Sequence, residues 1–274
     1  MTVEALGGGD GSGVWVVDLR AANVVVTGGG NGIGRALARR VATEGARVVV
    51  NDLDAAAAEA VAAEVGGIAV AGDVSGAEGV ELLVRTARGE FGEIDLFCAN
   101  AGVAPPGGAE APDEAWAHAW ELNVMAHVYA ARALLPSWLE HGRGHMLVTV
   151  SAAGLLTMLG AAAYSATKHA ALAFAEWLSI TYGDRGITVQ ALCPQGVRTD
   201  MLDQSGAAGD LVLRGDAIEP EQVADVAVDG LQDGRFLILP HPEVGRYYAA
   251  RATDPDRWLA GMRKLQRRVD EAGA

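Results

Sequence analysis

The sequence is short of cysteine, of positive charge and of long apolar runs. Two cysteines among 274 residues allow at most one disulfide. Lys and Arg number 21 against 35 Asp and Glu, and a net charge of −14 would be repelled by nucleic-acid phosphates and anionic lipid surfaces. The longest uncharged apolar stretch, residues 152–163, is too short to span a bilayer. No nucleic-acid or membrane role is expected, and we attribute the acidity to solubility.

The composition and length fit one large globular domain. Half of the residues are apolar and a fifth are charged, which is typical of a folded chain rather than a disordered one. An α/β domain of this size buries a substantial core. The first six residues lack the basic start and apolar centre of a secretory signal, so we expect a cytoplasmic protein.

Short apolar segments alternate with helical segments through most of the chain. The predicted strands are residues 23–27, 47–51, 67–71, 94–99, 145–150, 187–193 and 235–239. The predicted helices are residues 32–44, 54–65, 75–91, 113–140, 161–183 and 220–230. Continuous apolar strands separated by helices indicate a parallel sheet with helices on both faces, and right-handed crossovers make it doubly wound. The predicted fold class is α/β with a mainly parallel seven-stranded sheet.

Both ends of the chain lie outside this pattern. Residues 1–21 include a glycine-rich run at 7–13 and are predicted to be flexible. Residues 22–240 form the predicted domain and residues 241–274 a helical tail. In the tail, Asp254 is a candidate N-cap for an amphipathic helix whose apolar residues are Trp258, Met262, Leu265 and Val269. We interpret this stripe as packing against the body or a neighbouring subunit rather than as a ligand site.

A glycine-rich turn after the first strand indicates a phosphate-binding unit. Gly28 permits the turn, Gly32 lets the backbone approach a pyrophosphate, and Gly34 allows close helix–strand contact. Asp52 ends the second strand, twenty residues after Gly32, where a carboxylate binds adenosine ribose hydroxyls and repels a 2′-phosphate. Asp52 could instead cap the next helix, although Asp54 is better placed for that.

Tyr164, Lys168 and Ser151 form a candidate proton-transfer group. A phenol titrates near ~10 in water, too high for a proton shuttle at neutral pH. Lys168 lies at i+4 on the same helix face, where its ammonium favours the phenolate. Ser151, thirteen residues before Tyr164, follows a strand and can hold a substrate oxygen. A solvent-facing Tyr–Lys helix pair is the alternative, and the ordered motifs around the pair argue against it.

With these motifs in their order, the chain resembles the short-chain dehydrogenase/reductase family from about residue 22 to about residue 239. The matching residues are Thr27, Gly28, Gly32 and Gly34 in the glycine turn, Asp73 and Val74, Asn100, Ala101 and Gly102, Asn123, Ser151, Tyr164 and Lys168. The resemblance implies a Rossmann-type sheet and a nicotinamide-dependent oxidoreductase.

The resemblance also implies a role for each matching position. The catalytic tetrad would be Asn123, Ser151, Tyr164 and Lys168. Cofactor contacts would be Gly28, Asn31, Gly32, Ile33, Gly34, Asp52, Asp73, Val74, Asn100, Ala101, Gly102, Tyr164, Lys168, Val197 and Thr199. Gln195 stands where the family usually has glycine, and it is a candidate substrate contact with Ser151 and Tyr164. No metal ligand is assigned.

The implied reaction is the interconversion of a secondary alcohol and a ketone with NAD. Tyr164 would remove the hydroxyl proton, Ser151 would donate to the substrate oxygen, and Lys168 would lower the tyrosine pKa and bind ribose hydroxyls. The main chain at Asn123, in a distorted helix, would hold a water that links Lys168 to solvent. An NADP-preferring carbonyl reductase is one alternative, against which Asp52 and Asn31 argue. A non-catalytic dinucleotide-binding regulator is the other, although such proteins typically lose the tyrosine or the lysine.

The family's strand order also predicts the state of the cysteines. A fifth strand would separate Cys98 from Cys193 by roughly 9–10 Å, too far for a disulfide, so both should be reduced thiols. A catalytic thiol has no basic partner in the local sequence. Residues 200–217 are the predicted substrate lid. An apolar pocket is expected from Leu155, Leu156, Met158 and Leu159.

The family's long crossover helices usually pack against symmetry mates, so we expect a homotetramer or homodimer. On the first helix the candidate apolar face is Trp116, Trp120, His127 and Ala131. On the second it is Ala166, Ala170, Ala173, Phe174 and Trp177. One stripe of each helix covers the sheet, and this apolar content leaves a second face for a partner. A monomer with both stripes internal is the alternative.

Overall fold

The computed structural model describes residues 15–273, except for the side chains of residues 207, 208 and 273, and its core is a seven-stranded parallel sheet. The strands are β1 Asn23–Thr27, β2 Arg47–Asp52, β3 Ile68–Ala71, β4 Leu96–Ala99, β5 Gly144–Thr149, β6 Ile187–Leu192 and β7 Leu237–Ile238. Their order is β3-β2-β1-β4-β5-β6-β7. Every residue of β1, β4, β5 and β6 is buried, which explains why these strands are mostly apolar. The predicted doubly wound α/β fold is confirmed.

Helices cover both faces of the sheet and create two apolar cores. They are α1 Gly32–Thr43, α2 Ala55–Val65, α3 Ala77–Phe91, α4 Asp113–Trp120, α5 Ala126–His141, α6 Ala153–Leu156, α7 Ala162–Tyr182, α8 Asp200–Asp203, α9 Gly206–Val212, α10 Pro220–Asp233, α11 Pro242–Thr253 and α12 Pro255–Gly273. One core lies under α1, α2 and α10, and the other under α3, α5 and α7. Strands β2 and β3 are added on one side of β1, and β4 to β7 on the other. The strand order therefore reverses between β1 and β4, and the carboxyl ends of these two strands border a crevice.

The long helix predicted over residues 113–140 is interrupted. A π-helical segment, Glu121–Met125, separates α4 from α5, and the amide of Ala126 donates to Glu121 O, five residues back. Such a wide turn changes the register of the helix faces. Trp120 is 45% exposed, whereas His127 and Ala131 are buried. The apolar face predicted for this helix is therefore wrong in its second half, because one straight helix was assumed.

The segment before β1 is packed where the structure describes it. Val17 and Leu19 are buried in the core under α1, and Trp15 O accepts a hydrogen bond from Thr188 Oγ1 on β6. Residues 15–21 therefore contact the body, in contrast to the flexibility predicted for residues 1–21. The glycine run at 7–13 lies outside the described residues, and the domain division stays a prediction.

Several short helices after β5 were not predicted from the sequence. Helix α6 follows Ser151, and α8 and α9 lie within the predicted lid. The chain after β7 forms two helices, α11 and α12, rather than one. Asp254 accepts a hydrogen bond from the amide of Arg257 at 3.0 Å, so it caps α12 as predicted.

Both cysteines are buried free thiols on either side of β5, as predicted. Burial raises the pKa of the Cys98 and Cys193 thiols to about 12, so neither forms the thiolate that a nucleophile needs. Across residues 15–273, no helix combines the length and apolarity needed to cross a bilayer. The cytoplasmic location stays a prediction.

Candidate active site

The carboxyl ends of the strands open into one cavity of about 1050 Å³. Its walls include every predicted cofactor contact and the three candidate substrate contacts Ser151, Tyr164 and Gln195. Of the predicted tetrad, only Asn123 does not line it. The crevice of a doubly wound sheet is where such folds bind ligands, and the cavity lies there.

The glycine turn at one end of the cavity is shaped by close backbone contacts. Gly28 has a φ of +60°, and a Cβ there would lie 3.0 Å from the Cα of Ala101. At Gly34 a Cβ would lie 2.0 Å from Gly28 O, so only glycine lets α1 begin this close to β1. Helix α1 has no acidic residue in its first turn, and its N-cap Asn31 makes no side-chain cap. The first amides of α1 therefore face the cavity as an anion-binding group.

Asp52 is fixed at the edge of this turn by two backbone amides. Its Oδ2 accepts from Gly30 N at 2.9 Å and its Oδ1 from Asp54 N at 3.1 Å. Asp54 caps α2 by accepting from the amides of Ala56 and Ala57. The two acidic residues therefore have different roles, because Asp54 caps the helix while Asp52 lines the cavity.

The side chain of Asn100 connects two elements of the site by hydrogen bonds. Its Nδ2 donates to Thr27 O at 3.0 Å and to Gly28 O at 3.3 Å. Its Oδ1 accepts from Thr149 Oγ1 at 3.0 Å. The amide thus joins the glycine turn to the end of β5. Asn100 lines the cavity, and its role as a cofactor contact stays a prediction.

The three candidate catalytic side chains meet at the middle of the cavity. Tyr164 and Lys168 lie one turn apart on α7, and Lys168 Nζ is 5.7 Å from the centre of the Tyr164 ring. Lys168 Nζ donates to Thr149 O at 2.8 Å. Ser151 follows β5 with a φ of +152°, an unfavourable value for a residue with a Cβ. Its Oγ accepts from Ala153 N at 3.0 Å and donates to Pro194 O at 3.4 Å.

Burial dominates the ionisation of this group. It raises the pKa of Tyr164 above the ordinary value, while a hydrogen bond with Ser151 lowers it. Burial also lowers the pKa of Lys168 to about 8. The Tyr164 pKa is therefore raised, and not lowered as predicted from Lys168, because that prediction left out the cost of burying a phenolate.

Asn123 supports the site from behind and lies in the π-helical segment. Its Oδ1 accepts from Val103 N at 2.9 Å, and its Nδ2 donates to Val103 O at 2.8 Å and to Thr167 Oγ1 at 3.0 Å. Gly102 lies against it, since a Cβ there would be 2.8 Å from Asn123 Oδ1 and 3.3 Å from Lys168 Nζ. The distorted helix predicted at Asn123 is present, and the side chain fixes the loop after β4.

The other end of the cavity lies between the predicted lid and the segment after β5. Thr199 crosses to the glycine turn, since a Cβ at Gly32 would lie 3.1 Å from Thr199 Cγ2. The backbone amide of Gln195 donates to His241 Nδ1 at 3.1 Å. The side-chain oxygen, Gln195 Oε1, is buried with no partner among the described residues. Leu155 is fully buried in the core. The other three residues of the predicted apolar pocket line the cavity: Leu156, Met158 and Leu159.

Some lining residues were missed or misassigned from the sequence. Leu53, 77% exposed, follows Asp52 at the cavity edge, and nothing in its local pattern marks it. The stripe on α12 was recognised by its helical spacing but interpreted as packing. Three of its members line the cavity: Trp258, Met262 and Leu265.

Comparison with known proteins agrees with this geometry. The sequence model of the short chain dehydrogenase family matches residues 22–209, so the chain belongs to the short-chain dehydrogenase family. The 1-deoxy-11-beta-hydroxypentalenate dehydrogenase of Streptomyces exfoliatus is 38% identical over 238 residues, covering 82% of this chain and 85% of that protein. The predicted family is confirmed, and it indicates an oxidoreductase.

Solved structures share the fold along most of the chain. A short chain dehydrogenase/reductase from Burkholderia phymatum, in complex with NAD, has a TM-score of 0.81 at 27% identity, covering 88% of this chain and 96% of that one. The 3-ketoacyl-(acyl-carrier-protein) reductase from Brucella melitensis, complexed with NADH, has a TM-score of 0.75 at 30% identity, covering 81% and 96%.

Proposed function

We propose that this protein is an NAD-dependent dehydrogenase that interconverts a secondary alcohol and a ketone. The observation that carries the proposal is a single cavity with the glycine turn and Asp52 at one end and Ser151, Tyr164 and Lys168 further in. A dinucleotide and a substrate can therefore share one space. Relatives named as dehydrogenases and a family member in complex with NAD support the same reaction class.

The residues present fit a nicotinamide dinucleotide. Gly34 lets α1 begin close to β1, because a Cβ there would collide with Gly28 O, and the first amides of α1 suit a pyrophosphate. Lys168 has three ammonium donors, of which Thr149 O takes one among residues 15–273, so two can serve ribose hydroxyls and water. When bound, the nicotinamide ring supplies the hydride acceptor.

The protein's own part in the reaction is positioning and proton transfer. In alcohol oxidation Tyr164, as phenolate, takes the hydroxyl proton of the substrate while Ser151 donates a hydrogen bond to the same oxygen. Lys168 holds a positive charge near the phenolate and relays the proton toward water. The hydrogen bonds of Asn123 keep the loop at Gly102 against Lys168.

Asp52 favours NAD over NADP because its carboxylate would repel a 2′-phosphate. One observation favours the NADP-preferring alternative: the positively charged side chains of Arg35 and Arg39 also line the cavity. Glu64 forms an ion pair with each of them at 2.7 Å, which partly neutralises their charge. The carboxylate of Asp52 has no cation partner among the described residues, so we assign NAD.

Incubation with NAD⁺ and a panel of secondary alcohols, followed by the absorbance of reduced nicotinamide, tests the proposal. Tyr164→Phe should lower kcat by roughly 10²–10⁴-fold while NAD⁺ affinity changes little, because only the titrating oxygen is removed. Tyr182→Phe, at the far end of α7, is the matched control and should keep wild-type kcat.

Three results separate the candidate functions. If Tyr164→Phe kept a tenth of wild-type turnover, Tyr164 would not be the acid–base group. Higher kcat/KM with NADP⁺ than with NAD⁺ would favour the NADP-preferring reductase. Dinucleotide binding without turnover of any alcohol or ketone would favour a non-catalytic regulator.

A further inference from the structure

Apolar side chains of the C-terminal helices face the candidate cavity. Trp258, Met262 and Leu265 of α12 line it and are partly exposed, whereas Val269, at the end of the same stripe, is buried. Tyr247 of α11 also lines the cavity, with its ring centre 6.4 Å from that of Trp258. We call these four residues that line the cavity the tail wall: Tyr247, Trp258, Met262 and Leu265.

The tail wall is attached to the elements that surround the substrate end. Helix α12 packs against α9 of the predicted lid, and α11 packs against α6, which follows Ser151. Arg251 of α11 donates to Leu155 O of α6 and contacts His169 Nε2 at 3.0 Å, one residue after Lys168. These contacts hold the tail wall at a set position relative to the catalytic residues.

This end of the cavity is lined mainly by apolar side chains. Across the cavity from the cofactor end, Leu156 and Met158 add apolar surface. Among the described lining residues, neither the tail helices nor residues 156–161 contribute a charged group. The charged lining residues lie elsewhere: at the glycine-turn end, at Lys168, in the lid, and beside the lid, where Arg198 pairs with Glu219 at 3.0 Å. A small, highly hydroxylated substrate would leave this surface uncovered.

We propose that the tail wall binds the hydrocarbon skeleton of the substrate, and that the substrate class is a bulky apolar secondary alcohol, such as a fused-ring alcohol, and its ketone. The proposal rests on the proposed function for the reacting carbon. The carbinol oxygen lies at Ser151 and Tyr164, and the ring skeleton extends toward Trp258. The chain's own last helix thereby sets substrate size.

Two probes of different size test this assignment: 2-decalol, a two-ring secondary alcohol, and 2-butanol. The wild type should have a higher kcat/KM with 2-decalol. Trp258→Ala should lower kcat/KM for 2-decalol by about tenfold or more, mainly through KM, and leave 2-butanol within about twofold. Leu259→Ala is the matched control, since Leu259 is the next residue on α12 and is 52% exposed. Met262→Ala repeats the test in case loss of Trp258 displaces α12.

A binding measurement separates failure of this inference from failure of the proposed function. In the presence of NAD⁺, 2-decalol should raise the melting temperature of the wild type and of Leu259→Ala, and it should raise that of Trp258→Ala and Met262→Ala less. This readout needs no turnover, so an inactive protein that shows it would contradict the dehydrogenase and support the tail wall. Turnover of both alcohols with equal kcat/KM, or equal 2-decalol binding by wild type and both tail-wall variants, overturns the tail wall while the reaction stands.

Discussion

The Tyr164 phenol lies in surroundings that disfavour its ionised form. Burial raises its pKa, and the hydrogen bond with Ser151 offsets only part of this effect. Lys168, with a pKa lowered to about 8, still carries its proton at neutral pH. The resting protein near neutral pH therefore holds a neutral phenol beside an ammonium group. A positively charged nicotinamide would pull the tyrosine toward phenolate.

This ionisation state predicts opposite pH dependences for the two directions. Alcohol oxidation needs the phenolate, so kcat/KM should rise with pH from about 6 upward; ketone reduction needs the phenol and should stay level near neutrality and fall at high pH. Profiles of both directions between about pH 6 and about pH 10 measure this. An oxidation profile that fell as pH rose would contradict the assignment of Tyr164 as the base.

At the residue scale, Asp52 and Asp54 offer a paired test of cofactor choice. Asp52→Ala should reduce the preference for NAD⁺ over NADP⁺, measured as the ratio of kcat/KM values, by about tenfold or more. The reason is the loss of charge-assisted hydrogen bonds to the ribose together with the loss of repulsion of the 2′-phosphate.

Asp54→Ala is the control for that variant. It removes the cap of α2 and should lower the free energy of unfolding by about 1 kcal/mol without changing the cofactor ratio. An unchanged ratio in Asp52→Ala would show that the selectivity arises elsewhere, with Arg35 and Arg39 as the next residues to change.

At the element scale, the break between α4 and α5 connects three parts of the site. The π-helical segment presents Asn123 to both Val103 and Thr167, so the loop after β4 and helix α7 share one buried amide. An uninterrupted helix would change the direction of this side chain. The break therefore contributes to the position of Lys168, one residue after Thr167.

Asn123→Ala should lower the free energy of unfolding by about 2–4 kcal/mol, because the amide and carbonyl of Val103 lose their partners in a buried region. It should also reduce kcat more than it weakens NAD⁺ binding, since the loop at Gly102 is released. Urea denaturation and steady-state kinetics measure the two effects. Thr167→Val removes one hydrogen bond to Asn123 and the donation of Thr167 Oγ1 to Tyr164 O, and it should cost less than the loss of all three bonds of Asn123. An equal or larger loss in Thr167→Val would contradict this account.

The elements that follow from local patterns are the ones that the sequence predicts well. Strands β1 to β7 and the turn at Gly28 depend on short apolar runs and on glycine geometry, and both can be recognised from residues that are adjacent in the sequence. The π-helical segment has no such pattern, because its extra residue per turn is compatible with ordinary helix composition. For Trp258 and Met262, helical periodicity identifies a shared face but not what the face meets, so a cavity wall was interpreted as packing.

The whole molecule exposes an apolar face on the outer side of α7. Trp177 is 53% exposed and stacks on Phe174, and Ile180 is 84% exposed. Helix α4, with Trp120, packs beside α7. The face predicted for α7 is thus at the surface, where an exposed apolar patch is a candidate interface. The homotetramer or homodimer stays a prediction.

Light scattering on the wild type should give a mass of two or four times 28.2 kDa. The double variant Trp177→Glu/Ile180→Glu should dissociate, because burying two carboxylates in an apolar contact is unfavourable. Leu82→Glu is the control, since Leu82 is 50% exposed on α3 and should leave the assembly intact. A wild-type mass near 28 kDa would contradict the oligomer and favour the monomer.

The placement of both cysteines has a practical consequence for studying movement in solution. Each thiol is fully buried with a pKa near 12, so maleimides and other alkylating reagents should leave the native chain unlabelled. A single cysteine introduced at exposed Asp210 on α9 would then carry a fluorescent or spin label alone. The label would report opening of the lid against α12 without any native cysteine first being removed.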